Sequence, residues 1–289
     1  MSEANDSPNS LPRAPRRPSV PRCVWVLGRD VSRSGSPAFH NDFYSRVALP
    51  WRYSAWSLAP ERLTEALRAL WRNGCLGCNL TNPLKELAWR YLCQETDGAM
   101  RLALSPEARR LGSVNTVAVS AAGLTGYSTD GPGWGQALEE RFGENALSGR
   151  TVVLLGAGGA ARAVLVEALH LGAAEVAVVN RSVAKAKSLV EELGNGRCRY
   201  AGTSWSGPLP AGALVVQATS CRGTELRELF CWQSPPAGVI ASDLVYGTAP
   251  SDFLTQAQEY GVPCQDGWAM LHRQAELAIE IWRNSCEKS

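Results

Sequence analysis

One segment in the second half of the chain constrains the fold more than any other. An apolar run at residues 151–155 is followed at once by the glycine-rich stretch GAGGAAR at 156–162. An apolar helical pattern then continues to about Leu171, and a second apolar run at 175–179 leads into the residues NRS at 180–182. A strand, a glycine-rich turn, a helix and a second strand in this order predict a nucleotide-binding α/β unit with a parallel sheet.

The glycine-rich turn has the features that dinucleotide binding requires. Gly156 permits a tight turn, Gly158 lets the backbone approach a pyrophosphate, and the following helix offers free N–H groups to the anion. Ala161 replaces the third glycine of the fingerprint, which is an allowed variant. A purely structural turn is the alternative interpretation. We expect the cofactor to contact the consecutive residues Gly156, Ala157, Gly158, Gly159 and Ala160.

The end of the second strand predicts which dinucleotide binds. NAD enzymes usually place Asp or Glu there to hold the ribose 2′-hydroxyl. This chain has Asn180, Arg181 and Ser182 instead, and Lys185 follows one turn later. A solvated cationic helix start is the alternative, but cations at a helix N-terminus oppose the helix dipole. Two cations without a carboxylate suit a 2′-phosphate, so the sequence favours NADP.

Composition and charge exclude several classes of function. The formal net charge is only +2 and the apolar runs are no longer than strands, so we expect no nucleic-acid partner and no membrane partner. Residues 1–22 are rich in proline and arginine and predict a flexible tail. The nine cysteines are odd in number and scattered, which favours a cytoplasmic location. The lone pair Cys75 and Cys78 offers too few ligands for a metal site.

Lysine is scarce in this chain, and one lysine stands out by its position. Lys85 follows a strand and Pro83, at a point where a loop turns into a helix. A lysine amine can be tuned to donate or accept a proton near neutral pH, whereas arginine stays charged. A snorkelling surface lysine is the alternative. Asp130 is the best candidate to orient this amine, since it lies where a cleft between two halves would form; a helix N-cap is its other possible role.

Several separated motifs resemble those of the shikimate dehydrogenase family. The loop GRDVSRSGSPAFHN at 28–41 is similar to that family's substrate loop, and NLTNPLK at 79–85 is similar to its Asn-Val-Thr-x-Pro-x-Lys motif. The family's order continues with LGSVNTV, STDGPG, the glycine-rich turn, NRS, DLVY and DGWAMLHRQ. The resemblance extends to about Trp282 and thus covers nearly everything after the tail.

The resemblance implies an NADP-dependent oxidoreductase of the shikimate pathway, which leads through chorismate to the aromatic amino acids. It implies reversible reduction of 3-dehydroshikimate, or a related anionic ring acid, to shikimate by hydride transfer, with Lys85 and Asp130 handling the proton. Substrate contacts are implied for Ser34, Ser36, Thr81, Asn115, Tyr246 and Gln274. Further cofactor contacts are implied for Thr219, Gly267 and Met270.

The resemblance also implies an α/β fold of two domains. A substrate-binding domain would span residues 23–126 and be completed by a C-terminal helix at 268–285. A Rossmann-like NADP-binding domain with a parallel sheet would span 127–267. We expect a monomer or a homodimer.

The chain departs from the family's pattern in several places, among them Ser128 in place of Asn and Thr248 in place of a proline. Arg33 stands where the family usually has His, and the loop at 217–224 has Gln217 in place of Asn and no Met after Gly223. These departures leave open a quinate or aminoshikimate dehydrogenase of a specialised pathway. They also leave open a non-catalytic regulator that binds a dinucleotide or a ring acid.

Overall fold

The computed structural model of this protein describes residues 22–287. The predicted tail at 1–22 lies outside the described residues, apart from Arg22, which begins the first strand instead of ending the tail. Within this described range, none of the helices combines the length and the apolar character that a membrane crossing requires.

The first half of the chain forms a seven-stranded mixed sheet in the order β2-β1-β3-β6-β7-β5-β4. Its elements are β1 (Arg22–Gly28), α1 (Ser36–Arg46), β2 (Trp51–Ser57), a 3₁₀ turn (Pro60–Arg62), α2 (Leu63–Arg72), β3 (Gly77–Leu80), α3 (Leu84–Leu92), β4 (Thr96–Asp97), β5 (Met100–Leu104), α4 (Pro106–Leu111), β6 (Thr116–Ser120) and β7 (Gly123–Tyr127). Helix α2 forms where leucines recur at helical spacing, and it buries them against the sheet. The sheet therefore has one apolar core under α2 and α3 and another under α1.

The second half forms a six-stranded sheet in the order β10-β9-β8-β11-β12-β13, and all of its strand pairs are parallel. Its elements are α5 (Asp130–Phe142), β8 (Thr151–Leu155), α6 (Gly159–His170), β9 (Glu175–Val179), α7 (Val183–Leu193), β10 (Cys198–Gly202), β11 (Leu214–Gln217), α8 (Gly223–Leu229), β12 (Ile240–Asp243), α9 (Asp252–Glu259) and β13 (Cys264–Gln265). This is the strand order of a Rossmann fold. The predicted α/β class with a parallel nucleotide-binding sheet is confirmed.

A long C-terminal helix, α10 (Gly267–Glu287), joins the two halves. It packs along α5 and reaches back to the first sheet, where the Trp282 indole Nε1 donates a hydrogen bond to the Val117 carbonyl at 3.0 Å. The two helices approach closely because α5 has Gly133 at the crossing: a Cβ there would lie 2.6 Å from the Gln274 backbone nitrogen. This close contact holds Gln274 beside the first sheet.

Candidate active site

A cavity of about 420 Å³ opens between the two sheets. Every residue predicted for catalysis or substrate contact lines it, together with three predicted for the cofactor: Ser34, Ser36, Thr81, Lys85, Asn115, Asp130, Tyr246 and Gln274, with Ala160, Gly267 and Met270. Arg33 and Asp30 also face it. The structure therefore brings together motifs that are separated by up to 240 positions in the sequence, from Ser34 to Gln274.

Strand directions explain why these motifs meet. β1 and β3 are parallel, so the loops that follow them, which carry Ser34 and Thr81, leave the same edge of the first sheet. β6 is antiparallel to β3, so Asn115, just before β6, lies at that edge too. β7 is antiparallel to β6 and ends there, which places Asp130 beside it. One edge of one sheet thus supplies most of the polar side chains.

Lys85 and Asp130 form an ion pair at the centre of this edge. The Lys85 Nζ lies 2.5 Å from the Asp130 Oδ2, and the two side chains are 25% and 13% exposed. The second oxygen of Asp130 accepts a hydrogen bond from the Asn115 Nδ2 at 2.8 Å. The alternative role of Asp130 as a helix N-cap is wrong by one residue, because Thr129 is the cap and Asp130 begins α5. Its carboxylate is therefore free for the lysine.

Asn115 is the residue that orients the Asp130 carboxylate. Its Oδ1 accepts a hydrogen bond from the Thr129 backbone N–H at 2.8 Å, which leaves its amide Nδ2 facing Asp130. The Thr129 hydroxyl contacts the same amide and lies 3.4 Å from the Gln274 Oε1. Residues of the first sheet, α5 and α10 are thus connected around the ion pair.

The opposite wall of the cavity is suited to an anion. Ser36 begins α1, and its backbone N–H donates to the Ser34 hydroxyl at 3.3 Å. Pro37 has no N–H and the Ser36 N–H is taken up by Ser34, so this helix start offers few free backbone donors, but the positive end of its dipole lies beside both serines. Arg33 precedes them, is exposed and forms no ion pair with another residue of the 22–287 range. A carboxylate would find hydroxyl, N–H and guanidinium donors here.

Tyr246 and Trp268 stand at the mouth of the cavity. Their ring centroids are 5.0 Å apart, and Tyr246 is 48% exposed. The Trp268 indole Nε1 donates to the Gly247 carbonyl at 2.9 Å, which fixes the loop that carries Tyr246. The tyrosine hydroxyl can therefore reach a ligand without being buried itself.

The glycine-rich turn has room for a pyrophosphate. Gly156 adopts a positive φ of 121°, and a Cβ there would come within 3.0 Å of the Ala218 carbonyl oxygen. At Gly158 and Gly159 a Cβ would meet nothing within 4 Å, and no side chain caps the N-terminus of α6. Free N–H groups facing open space are what an NADP pyrophosphate needs, so these residues fit the cofactor.

A second cavity of about 680 Å³ lies beside this turn. Ala157, Gly158, Gly159 and Lys185 line it from the second half, and Arg90, Arg109 and Arg110 line it from the first half. Arg162 closes one side by donating to the Leu111 carbonyl at 2.6 Å and pairing with Glu192 at 2.6 Å. The surroundings of the turn are therefore strongly cationic.

Three further residues predicted for the cofactor follow the carboxyl end of β9. Arg181 is 59% exposed and pairs with Glu225 at 3.4 Å. Ser182 is the N-cap of α7, and its hydroxyl accepts from the Lys185 backbone N–H at 3.5 Å. The Asn180 amide donates to the Ser182 carbonyl at 2.9 Å. Asn180, Arg181 and Ser182 line neither of these two cavities, so their role in holding a ribose phosphate stays a prediction.

Comparison with known proteins decides the family. The family model for the shikimate dehydrogenase substrate binding domain matches residues 26–117, and the model for shikimate / quinate 5-dehydrogenase matches residues 137–222. The NADP(+)-dependent shikimate dehydrogenase of Citrifermentans bemidjiense is 36% identical over 90% of this chain and 89% of its own length. The chain belongs to the shikimate dehydrogenase family.

Solved structures agree with this family, and one of similar fold is named for a different substrate. Thermus thermophilus shikimate 5-dehydrogenase in complex with NADP(H) and shikimate is 35% identical, has a TM-score of 0.74 and matches over 91% of this chain and 94% of its own. A 5-ketofructose reductase of Gluconobacter is 26% identical, with a TM-score of 0.76, and matches over 91% and 92%. Because the same fold occurs in enzymes named for different substrates, the residues of the site must decide the substrate.

The altered loop at 217–224 is ordered by the residue that departs from the family's pattern. Gln217 is fully buried; its amide Nε2 donates to the Thr219 carbonyl at 3.1 Å, and its Oε1 accepts from the Thr219 backbone N–H at 2.6 Å. The Thr219 hydroxyl in turn accepts from the Cys221 N–H at 3.1 Å. Thr219 therefore packs against the Gly156 turn, although it does not line the 420 Å³ cavity.

The sequence analysis missed Asn79, which also lines the cavity. It lies in β3, where all four residues are buried, and it is 8% exposed. A buried strand rarely carries an amide side chain unless that side chain is hydrogen-bonded, because burying an unpaired amide costs free energy. That polar residue inside an otherwise apolar strand was the signal that could have found it.

Proposed function

We propose that this chain catalyses the NADP-dependent interconversion of 3-dehydroshikimate and shikimate. The observation that carries the proposal is the Lys85–Asp130 ion pair, which lines the same cavity as Ala160 of the dinucleotide turn. Curated relatives that are more than 30% identical over nine-tenths of the chain are named as NADP(+)-dependent shikimate dehydrogenases, which supports both the reaction and the cofactor.

The residues of the cavity would act on the proton. When NADPH is bound, it supplies a hydride to the carbonyl carbon of the ring. Negative charge then grows on the carbonyl oxygen, and a cationic amine beside it stabilises and protonates that oxygen. Among the residues that the structure describes, Lys85 is the only lysine that lines the cavity. Asp130, held by Asn115, fixes the direction of the amine and keeps its charge paired between turnovers.

The two walls of the cavity would divide the recognition of a small ring acid. Ser34, Ser36 and the N-terminus of α1 would bind the carboxylate, with Arg33 adding positive charge. The polar groups of the central edge would read the ring hydroxyls: Thr81, Asn115, Asp130 and Gln274. Tyr246 would close the mouth, and Gly267 and Met270 would border the nicotinamide with Ala160.

This arrangement supports separate domains for the ring acid and for NADP. Residues 23–126, together with the helix at 268–285, would bind the ring acid, and residues 127–267 would bind NADP. We place the protein in the cytosol, because its scattered cysteines suit a reducing compartment. We propose that it acts as a monomer or a homodimer.

A substrate screen tests the proposal. Purified protein is assayed by the absorbance of the reduced cofactor: shikimate, quinate and aminoshikimate are each tested for oxidation with NADP and with NAD, and 5-ketofructose is tested for reduction with NADPH and with NADH. We expect the highest kcat/KM with shikimate and NADP. A higher value with another ring acid would assign the chain to a specialised pathway. No turnover with any of these substrates, combined with measurable NADP binding, would favour a binding regulator.

Cofactor selectivity tests the phosphate site. We expect Arg181→Gln to raise the KM for NADPH about tenfold or more, because a charge-assisted hydrogen bond to a phosphate contributes roughly 1.5–3 kcal/mol. The KM for NADH, which has no 2′-phosphate, should stay within about twofold. Arg199→Gln is the matched control, since Arg199 also pairs with a glutamate but lies on the edge strand β10. Equal losses with both cofactors would contradict the assignment.

A further inference from the structure

A buried row of polar side chains runs from β2 to the ion pair. It starts at Tyr53, which is 2% exposed and lies in β2 opposite Val24 of β1. The Tyr53 ring stacks on His40, with centroids 4.0 Å apart and ring planes 4° apart. The Tyr53 hydroxyl donates to the Asn79 Oδ1 at 2.7 Å. A tyrosine outside the cavity therefore holds an amide that lines it.

The row continues through Asn79 to Asn115. The Asn79 Nδ2 donates to the Thr116 hydroxyl at 2.9 Å and to the Asn115 carbonyl at 3.2 Å. The Thr116 hydroxyl donates onward to the Asn115 Oδ1 at 3.1 Å. The Asn115 Nδ2 then donates to Asp130, whose other oxygen contacts Lys85. The Asn115 Oδ1 also accepts from the Thr129 backbone N–H, so the row is a second support for the amide that faces Asp130.

The Asn115 carbonyl fixes the direction of the first link. A carbonyl can only accept, so Asn79 presents its nitrogen to Asn115 and Thr116 and its oxygen to Tyr53. Burial raises the pKa of the Tyr53 phenol well above the ordinary value, so the hydroxyl keeps its proton at neutral pH and can donate to that oxygen. Ser36 lies near enough to the phenol to oppose part of the rise in its pKa. The Tyr53 hydroxyl thus lies between Ser36, on the wall suited to an anion, and Asn79, at the edge that carries the ion pair.

We propose that Tyr53 is a positioning residue that acts through Asn79 and Thr116 to hold the Asn115 amide toward Asp130. The inference rests on the proposed function and extends it to a residue that does not line the cavity. Without the Tyr53 hydroxyl, the Asn79 Oδ1 loses its hydrogen-bond donor, so the amide that supports the Thr116 hydroxyl and the Asn115 carbonyl is held less firmly, and Asn115 beside the ion pair with it. The Ser36 hydroxyl loses a neighbour at the same time.

Tyr53→Phe isolates the hydroxyl, because it keeps the ring that stacks on His40. We expect this variant to lower kcat about tenfold, as for the loss of one buried hydrogen bond worth roughly 1.4 kcal/mol. The KM for the ring acid should rise, since Ser36 is affected, and the KM for NADPH should not change. General destabilisation would not raise the KM for the ring acid while leaving the KM for NADPH unchanged.

Tyr44→Phe is the matched control. Tyr44 is 1% exposed. Its hydroxyl lies 3.3 Å from the Nδ1 of His40, the histidine on which the Tyr53 ring stacks. Within residues 22–287 the Tyr44 hydroxyl forms no hydrogen bond with Tyr53, Asn79, Thr116 or Asn115, so its removal should lower the urea midpoint of unfolding about as much as Tyr53→Phe does. Its kcat and both KM values should equal those of the wild type.

A double-mutant cycle with Thr116→Val tests the row itself. Thr116→Val breaks a later link, so it should lower kcat on its own, and Tyr53→Phe should add little to it. Multiplied losses in the double variant would overturn the inference, as would wild-type kinetics in Tyr53→Phe or equal kinetic losses in Tyr44→Phe. A wild type that turns over no ring acid would instead overturn the proposed function and this inference with it.

Discussion

Lys85→Met should lower kcat by about 10³-fold while leaving NADPH binding nearly unchanged. The substitution keeps the length and the apolar stem of the side chain but removes the ammonium group that faces Asp130 at 2.5 Å. A positioned proton donor contributes about 10²–10⁴-fold to such a reaction, and the lost charge also leaves the developing oxyanion unstabilised. Steady-state kinetics with NADPH, together with the dissociation constant from NADPH fluorescence, separate the chemical step from cofactor binding.

Two companion variants make the Lys85 result specific. Lys85→Arg keeps a positive charge but cannot release a proton near neutral pH, so it should retain ring-acid binding and still lose most of the turnover. Lys187→Met makes the same change at an exposed lysine of α7 and should behave as wild type. A kcat within about tenfold of wild type for Lys85→Met would remove the lysine from the proposed reaction.

The cofactor half of the fold could be predicted from the sequence because its signals are local. The strand at 151–155, the turn at 156–162 and the strand at 175–179 occupy consecutive positions, and each has a distinct residue pattern. The structure has the same two strands and begins α6 at Gly159. Short-range patterning of this kind needs no knowledge of tertiary contacts.

The substrate half could be predicted only in part. Lys85 was distinguished by composition and its loop, but its partner in space depends on the pairing of β3 with β6 and of β6 with β7. The residues that support the site from behind, Tyr53 and Asn79, are brought together by an edge strand and a central strand that are not neighbours in the sheet. Nothing local marks such contacts, because their physical cause is the strand order.

The 680 Å³ cavity beside the dinucleotide turn could not be predicted either, because it also depends on long-range contacts. Arg90, Arg109 and Arg110 read as ordinary exposed charges on α3 and α4 in the sequence. Only the way the two halves sit together, with Arg162 donating to the Leu111 carbonyl, places them beside the dinucleotide turn. A long-range arrangement therefore adds positive charge where the local motif already provides for an anion.

The stability of this protein should fall steeply in mild acid because of one buried histidine. His40 is fully buried, and its ring is enclosed by the rings of Tyr53, Phe39 and Trp282. Its Nε2 has no hydrogen-bond partner among residues 22–287. Burial lowers the pKa of His40 from 6.5 to about 3. Above pH 6.5 the histidine is neutral in both the folded and the unfolded chain, so its burial costs no protonation energy there.

Below that pH the unfolded chain binds a proton that the folded chain cannot, so the free energy of unfolding falls by about 1.4 kcal/mol for each pH unit. Between pH 6.5 and pH 5 this loss amounts to roughly 2 kcal/mol, and it ends near the folded-state pKa.

We expect urea unfolding at pH 7 and pH 5 to show this difference in the wild type. His40→Phe keeps a planar ring on Tyr53 without a titrating group and should lose about that much of the pH dependence, whatever its stability at pH 7. His170→Phe makes the same change at the exposed end of α6 and should keep the wild-type dependence. If His40→Phe and wild type lose equal stability between the two pH values, the acid sensitivity comes from carboxyl groups instead.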